Sequence, residues 1–184
     1  MRPTLFTVEH PGPGRLSTMA KPRGGDWLDD EMTALRGYGV DTLVCALTPP
    51  ELAELGLVDE PRAAVAAGLR FVAIPIPDRT VPDHPTVLPT LRELAAELAG
   101  GARIVTHCRA GIGRSSLLAA SLLILNGVAP HTAWARLERA RGLAVPDTDE
   151  QRDWTMDLAA ARAWHEGRSG DSDGSATDPG RRPS

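Results

Sequence analysis

The chain has 184 residues, 42% hydrophobic and 24% charged, a composition that suits one compact domain and argues against a disordered or fibrous chain. Twenty basic against twenty-four acidic side chains leave a net charge of -4, so a nucleic-acid or membrane binder working through a bulk positive field is disfavoured, and any anion must be held locally. No apolar stretch approaches the roughly 20 residues of a membrane span, the first residues lack the apolar core of a secretory signal, and two cysteines are too few for a disulfide framework or a paired-cysteine metal cluster, so a reducing, cytoplasmic setting is expected.

In chain order, residues 26–36 read as a helix, with Trp27, Leu28, Met32 and Leu35 on one stripe and Gly37 and Gly39 ending it. Residues 40–47 are short, β-branched and bounded by Gly39 and the Pro49-Pro50 pair, which fits a buried strand carrying Cys45. Short helices are expected over 50–55 and 61–67, then a strand over 69–76. Residues 75–85 hold four prolines, Asp78, Asp83 and His84, too stiff and polar for an element interior, so an ordered surface loop is expected there. A helix over 86–98 closes at Gly100-Gly101, and Ile104 to Thr106 begin a third β-branched run. Helices follow over 113–125, 130–141 and 149–165. From Gly167 onward one alanine is the largest apolar side chain apart from proline, so a domain over 1–166 and a disordered tail over 167–184 are expected. Alternating strands and helices predict an α/β fold with a largely parallel central sheet flanked by helices, whose ligands gather at the carboxyl ends of strands.

The third run leads into His107-Cys108-Arg109-Ala110-Gly111-Ile112-Gly113-Arg114-Ser115. A cysteine and an arginine six positions apart carry little information alone; interior glycines, a preceding histidine and a following serine make the combination specific. A turn that opens a helix directs successive backbone N–H groups inward, and with the helix dipole they cradle a phosphate dianion, here over Arg109, Ala110, Gly111, Ile112 and Gly113. Gly111 and Gly113 permit the backbone angles and the close approach. Arg114 offers a planar fork to two phosphate oxygens. Cys108 sits at the positive end, where a thiol ionises readily and becomes a nucleophile. Ser115 can donate to that sulfur, and His107 orients the turn by bonding backbone. Cys45 reads as a small buried hydrophobe. A thiolate that displaces an oxygen from phosphorus also needs a proton donor from another segment, and the 75–85 loop offers Asp78, Asp83 and His84.

The segment from His107 to Ser115 resembles the signature of the cysteine-dependent protein tyrosine and dual-specificity phosphatases. Pro75-Ile76-Pro77-Asp78 with Pro82-Asp83 is similar to the acid loop of the subgroup containing kinase-associated phosphatase. The likeness spans about residues 15–160. It implies a dual-specificity-phosphatase-like fold with the phosphate loop between the last strand and a helix, a cysteinyl-phosphate intermediate, and no metal or other cofactor. In that subgroup the general acid lies thirty residues before the nucleophile, which selects Asp78. Thr148 and Gln151 fall where the family carries a Thr-x-x-Gln pair, so Gln151 is expected to help place the hydrolytic water. Cys45 falls near the position of a second thiol that in several relatives forms a reversible disulfide with the nucleophile. The implied substrates are phosphorylated proteins, phosphotyrosine first, or small phosphomonoesters. Ile112, where lipid-phosphate enzymes favour a second basic residue, weakens a phosphoinositide reading. The other readings are a phosphate-recognition module without turnover and an anion-loop redox protein, which the thirty-residue spacing disfavours.

Overall fold

The computed structural model describes residues 3–170. It opens with two strands the sequence reading did not foresee, β1 (Phe6–Val8) and β2 (Arg15–Ala20). Little in Arg-Leu-Ser-Thr-Met-Ala announces a strand; tertiary pairing supplies what local propensity does not, because β2 runs parallel to β5 (Arg103–Cys108) with Leu16 opposite Ile104 and Ala20 opposite Cys108. After a 3-10 turn at Gly25–Trp27 come α1 (Leu28–Gly37), β3 (Thr42–Cys45), α2 (Pro49–Glu54), α3 (Glu60–Ala66) and β4 (Arg70–Ala73). Then follow α4 (His84–Ala99), β5, α5 (Arg114–Leu125), α6 (Pro130–Arg141) and α7 (Asp149–Gly170). Each expected helix and strand is present, with ends shifted by a few residues.

The sheet order is β1-β2-β5-β3-β4, parallel except for the antiparallel β1–β2 edge. The largely parallel α/β sheet expected from the alternation is therefore the observed one. Its two faces are covered by separate cores. Met32 and Leu35 of α1 and Ala63 and Ala64 of α3 pack with Leu43, Cys45 and Val105 on one side. Leu91 and Leu94 of α4, Leu117 and Leu118 of α5, Trp134 of α6 and Leu158 of α7 pack with Val44, Ile104 and Cys108 on the other. Alternate residues of β5 thus serve opposite cores, as the two-residue period of a strand buried on both faces requires. Helix α5 is buried on almost every side, from Arg114 through Ile124, which makes it the central helix of its layer.

The expected domain end at 166 falls inside α7, which continues to Gly170. Extending an existing helix adds one hydrogen bond per residue without a new nucleus, so the end of a helix can outrun its apolar stripe. The rest of the expected tail, 171–184, lies outside the described residues.

Candidate active site

Three adjacent parallel strands deliver the site from their carboxyl ends: β5 ends on Cys108, β3 leads into α2 with Glu51, and β4 leads into the loop bearing Asp78. Since β5 lies between β2 and β3, Cys108 emerges near the middle of the sheet and is nearly buried. Its thiol donates to Ser115 Oγ at 3.4 Å; once ionised, the sulfur would accept from that hydroxyl instead. Thr106 Oγ1 donates to the Ser115 carbonyl at 2.8 Å, tying the strand to the first turn of α5.

The two glycines of the turn do different work. Gly111 has φ +71°, the left-handed region, and a Cβ there would come within 2.5 Å of the Met19 carbonyl oxygen. Gly113 has φ -81° and is needed only for space, because a Cβ would strike the Asp147 carboxylate and crowd Gln151 Oε1. The free N–H groups that every helix start leaves open belong here to α5, directly after the turn.

Arg114, 2% exposed, joins all three segments. Its Nη1 donates to the Ile76 carbonyl at 2.9 Å and to Glu51 Oε2 at 2.8 Å, and Nη2 donates to Glu51 Oε1 at 2.9 Å. Asp78 Oδ1 lies 3.0 Å from the same Nη2. The Arg114 hydrogen bond holds the Glu51 carboxyl down at about 2, against the opposing effect of burial. Burial works against the charge on Arg114, but the Glu51 hydrogen bond and the charges of Cys108, Glu51 and Asp78 outweigh it and raise its pKa. Sequence reasoning missed Glu51. The Thr48-x-x-Glu51 capping box that starts α2 was a legible signal for a helix end, but not for the fork pairing that the same carboxylate makes. Arg109 turns outward, with Nη1 and Nη2 donating to Glu54 at 3.1 and 2.7 Å.

The loop candidates separate clearly. Asp78 is 64% exposed and faces the arginine. Asp83 caps α4, accepting from Thr86 N at 3.1 Å and Thr86 Oγ1 at 2.6 Å, bonds that keep its carboxyl below the usual range and suit it poorly to hold a proton. His84 stacks on Trp154 with ring centroids 4.0 Å apart. Gln151 is fully buried; its Nε2 donates to the Thr80 carbonyl at 3.2 Å and its Oε1 accepts from Asp147 N at 3.2 Å. Trp154 Nε1 donates to the Pro82 carbonyl at 2.7 Å. Helix α7 therefore holds the acid loop from beneath. Arg79, next to Asp78, has φ +59°, an unusual setting for a residue with a side chain.

His107 departs from expectation. Its ring meets the carboxylate of Glu60 rather than backbone, with Nε2 2.9 Å from Oε1 and both side chains fully buried. The reason is the register: His107 lies opposite Cys45 and so faces the α1–α3 layer, where Glu60 opens α3. Cys45 and Cys108 are both free thiols, and burial, with the charge of Glu60 adding to it, pushes the Cys45 thiol well above its ordinary range.

Comparison with known proteins matches residues 17–128 to the family model described as Tc-R-P, a polymorphic toxin system DSP-PTPase phosphatase. Cyclin-dependent kinase inhibitor 3 of Mus musculus is 30% identical over 118 residues, covering 64% of this chain and 56% of the relative. The Rattus norvegicus protein of that name is 35% identical over 79 residues, covering 42% of this chain and 37% of the relative. The chain thus spans about half, or less, of the length of these relatives. Kinase-associated phosphatase, solved with its catalytic cysteine replaced by serine, superposes with a TM-score of 0.76 at 20% identity, over 89% of this chain and 97% of that one. Tk-PTP in its active form gives 0.69 at 24% identity, over 87% and 99%.

Proposed function

The chain belongs to the family of DSP-PTPase phosphatases described as Tc-R-P of polymorphic toxin systems, and from that premise we propose that it hydrolyses phosphomonoesters through a cysteinyl-phosphate intermediate without a catalytic metal. The observation that carries the reading is the meeting at Arg114: the buried guanidinium of the turn is contacted by the loop that holds Asp78, so the turn that carries nucleophile and anion fork faces a proton donor from a second segment. In the first step Cys108 Sγ attacks phosphorus in line and the bond from phosphorus to the leaving oxygen breaks. That oxygen takes the proton of Asp78. In the second step Asp78, now a carboxylate, takes a proton from water as the water oxygen attacks phosphorus. The sulfur–phosphorus bond breaks, releasing inorganic phosphate and the thiolate, which Ser115 steadies through its hydroxyl. Arg114 and the backbone N–H groups of residues 109–113 hold the equatorial oxygens throughout.

Gln151 is assigned to the water-placing role through its position between the Thr80 carbonyl and the 147 turn. The substrates we assign are phosphorylated proteins, phosphotyrosine foremost. A structure of P. aeruginosa TpbA in complex with pTyr, 23% identical, shares the fold. Two free thiols fit a cytoplasmic setting. A phosphatase unit reaching from the N-terminal strands through α7 fits the way α7 supports the acid loop.

The test is vanadate-sensitive hydrolysis of para-nitrophenyl phosphate with a chelator present, comparing the wild type with Cys108→Ser. Activity in the former and none in the latter is expected. If both are inert while the wild type still binds vanadate, the turn is a recognition site for phosphate and the enzymatic reading is wrong.

A further inference from the structure

On the face of the sheet turned away from α5, three donors of different chemistry converge behind the phosphate turn. Cys45 ends β3, His107 is its ladder partner in β5, and Glu60 opens α3; none is more than 1% exposed. One ligand atom from each lies within 4.8 Å of the other two. The proposed hydrolysis uses neither Cys45 nor Glu60.

The geometry is unusual for a buried polar contact. Although Nε2 of His107 is 2.9 Å from Oε1 of Glu60, the ring N–H is not aligned with it, and neither ring nitrogen nor either carboxylate oxygen completes a hydrogen bond. A buried carboxylate whose neighbours are a thiol and a misaligned imidazole is costly and calls for a proton or a cation. Around a tetrahedral ion with bonds of about 2.0–2.1 Å, neighbouring nitrogen and oxygen ligands lie roughly 3.3 Å apart and a thiolate sits about 2.3 Å from the ion, so Nε2 and Oε1 would part by a few tenths of an ångström from their 2.9 Å to admit one. Thiolate with imidazole and carboxylate is a donor set for a borderline ion of the zinc class, whereas calcium and magnesium take oxygen ligands.

We infer that Cys45, Glu60 and His107 form a binding site for one divalent transition ion of the zinc class, separate from the reacting groups. Binding releases the thiol proton of Cys45 to solvent as the sulfur–metal bond forms, and three protein ligands leave the fourth position to water. The ion would tie the ends of β3 and β5 to α3, fixing His107 and with it the start of the turn. Its role is structural, so the inference stands apart from the hydrolytic reading and hydrolysis under chelation is compatible with it.

Cobalt is the probe, because a thiolate ligand gives it a near-ultraviolet charge-transfer band. The full chain is stripped with chelator under a reductant and titrated with cobalt, and zinc is then added as competitor. The wild type should show the band at one cobalt per chain and lose it to zinc. Cys108→Ser leaves Cys45 as the single thiol of the chain, so the band must persist there at the same stoichiometry. A folded Glu60→Gln should bind cobalt at least tenfold more weakly and lose the rise in thermal midpoint that zinc gives the wild type. No thiolate band in the wild type, or a band that disappears in Cys108→Ser, overturns the site.

Discussion

Asp78 Oδ1 lies 3.0 Å from Arg114 Nη2, so the carboxyl assigned as proton donor rests against the guanidinium assigned to the phosphate. An arriving dianion would compete for that same donor. Under the proposed roles, substrate binding would then loosen the acid from its partner at the place where its proton is needed, coupling recognition to the readiness of the leaving group.

Asp78→Asn should lower kcat for a poor leaving group by about 10²–10⁴-fold and much less for an activated aryl phosphate. Steady-state kinetics on an alkyl phosphate and an activated aryl phosphate measure it; equal losses on the two substrates would remove the assignment.

Arg114→Lys should cost about 10²–10³-fold in kcat, because an ammonium cannot serve two phosphate oxygens and Glu51 as a planar fork does. Steady-state kinetics on para-nitrophenyl phosphate measure it; a loss under about threefold would mean the fork is not used in the transition state.

Glu51 links the site to stability. Its carboxyl is lowered from 4.5 to about 2 by the Arg114 hydrogen bond. A depressed carboxyl stabilises the folded state above its unfolded pKa, and that contribution fades as pH falls from about 4.5 towards 2, because the unfolded chain then binds the extra proton. It amounts to on the order of 3 kcal/mol. Glu51→Gln should therefore unfold more readily at neutral pH and show a flatter acid limb below pH 4.5 in denaturant titrations. Parallel wild-type and variant curves in that window would refute the linkage.

The two turn glycines should differ in tolerance. Gly111→Ala places a methyl against the Met19 backbone at a positive φ, which cannot yield, and should cost about 2–3 kcal/mol with nearly complete loss of activity. Gly113→Ala meets the far end of the Asp147 side chain, which can swing aside, so the loss should be smaller and partly relieved by adding Asp147→Ala. Thermal melts and kinetics of the three variants decide it; the opposite order would contradict the assigned roles.

If Cys45 guards the nucleophile, peroxide should oxidise Cys108 to the sulfenic acid. The Cys45 thiol should then condense with it, expelling water, and a thiol reductant should restore the wild type more fully than Cys45→Ser. Because Cys45 and Cys108 pack into different cores, the end of β5 must turn for the bond to form. Equal recovery in both proteins removes the disulfide.

Much of the candidate site was readable because its proposed chemistry is packed into one turn: Cys108, Arg114 and Ser115 are fixed by spacing within nine residues, and the proline-rich exit of β4 announced the Asp78 loop. What stayed hidden depends on partners far apart in the chain. Glu51 carries a helix-start signature, and nothing local reveals that Arg114 will reach it. The donors Cys45, Glu60 and His107 come from three segments with no ligand spacing between them, so counting cysteines spoke only to paired-cysteine clusters. The strand β2 was invisible for the same reason, since its reason to be extended is the ladder with β5. His107 could be placed beside the nucleophile, but which layer its ring enters follows from the register with Cys45.

Helix α7 bears no reacting group in the proposed steps, yet three of its contacts, Gln151 with Thr80, Trp154 with Pro82 and the stack on His84, fix the loop that carries the acid. The matched family segment ends at 128, before this helix begins. A piece of the chain cut to that segment would keep nucleophile, arginine and acid while leaving the acid's support behind. The shortest working piece of this protein should therefore be longer than the matched segment.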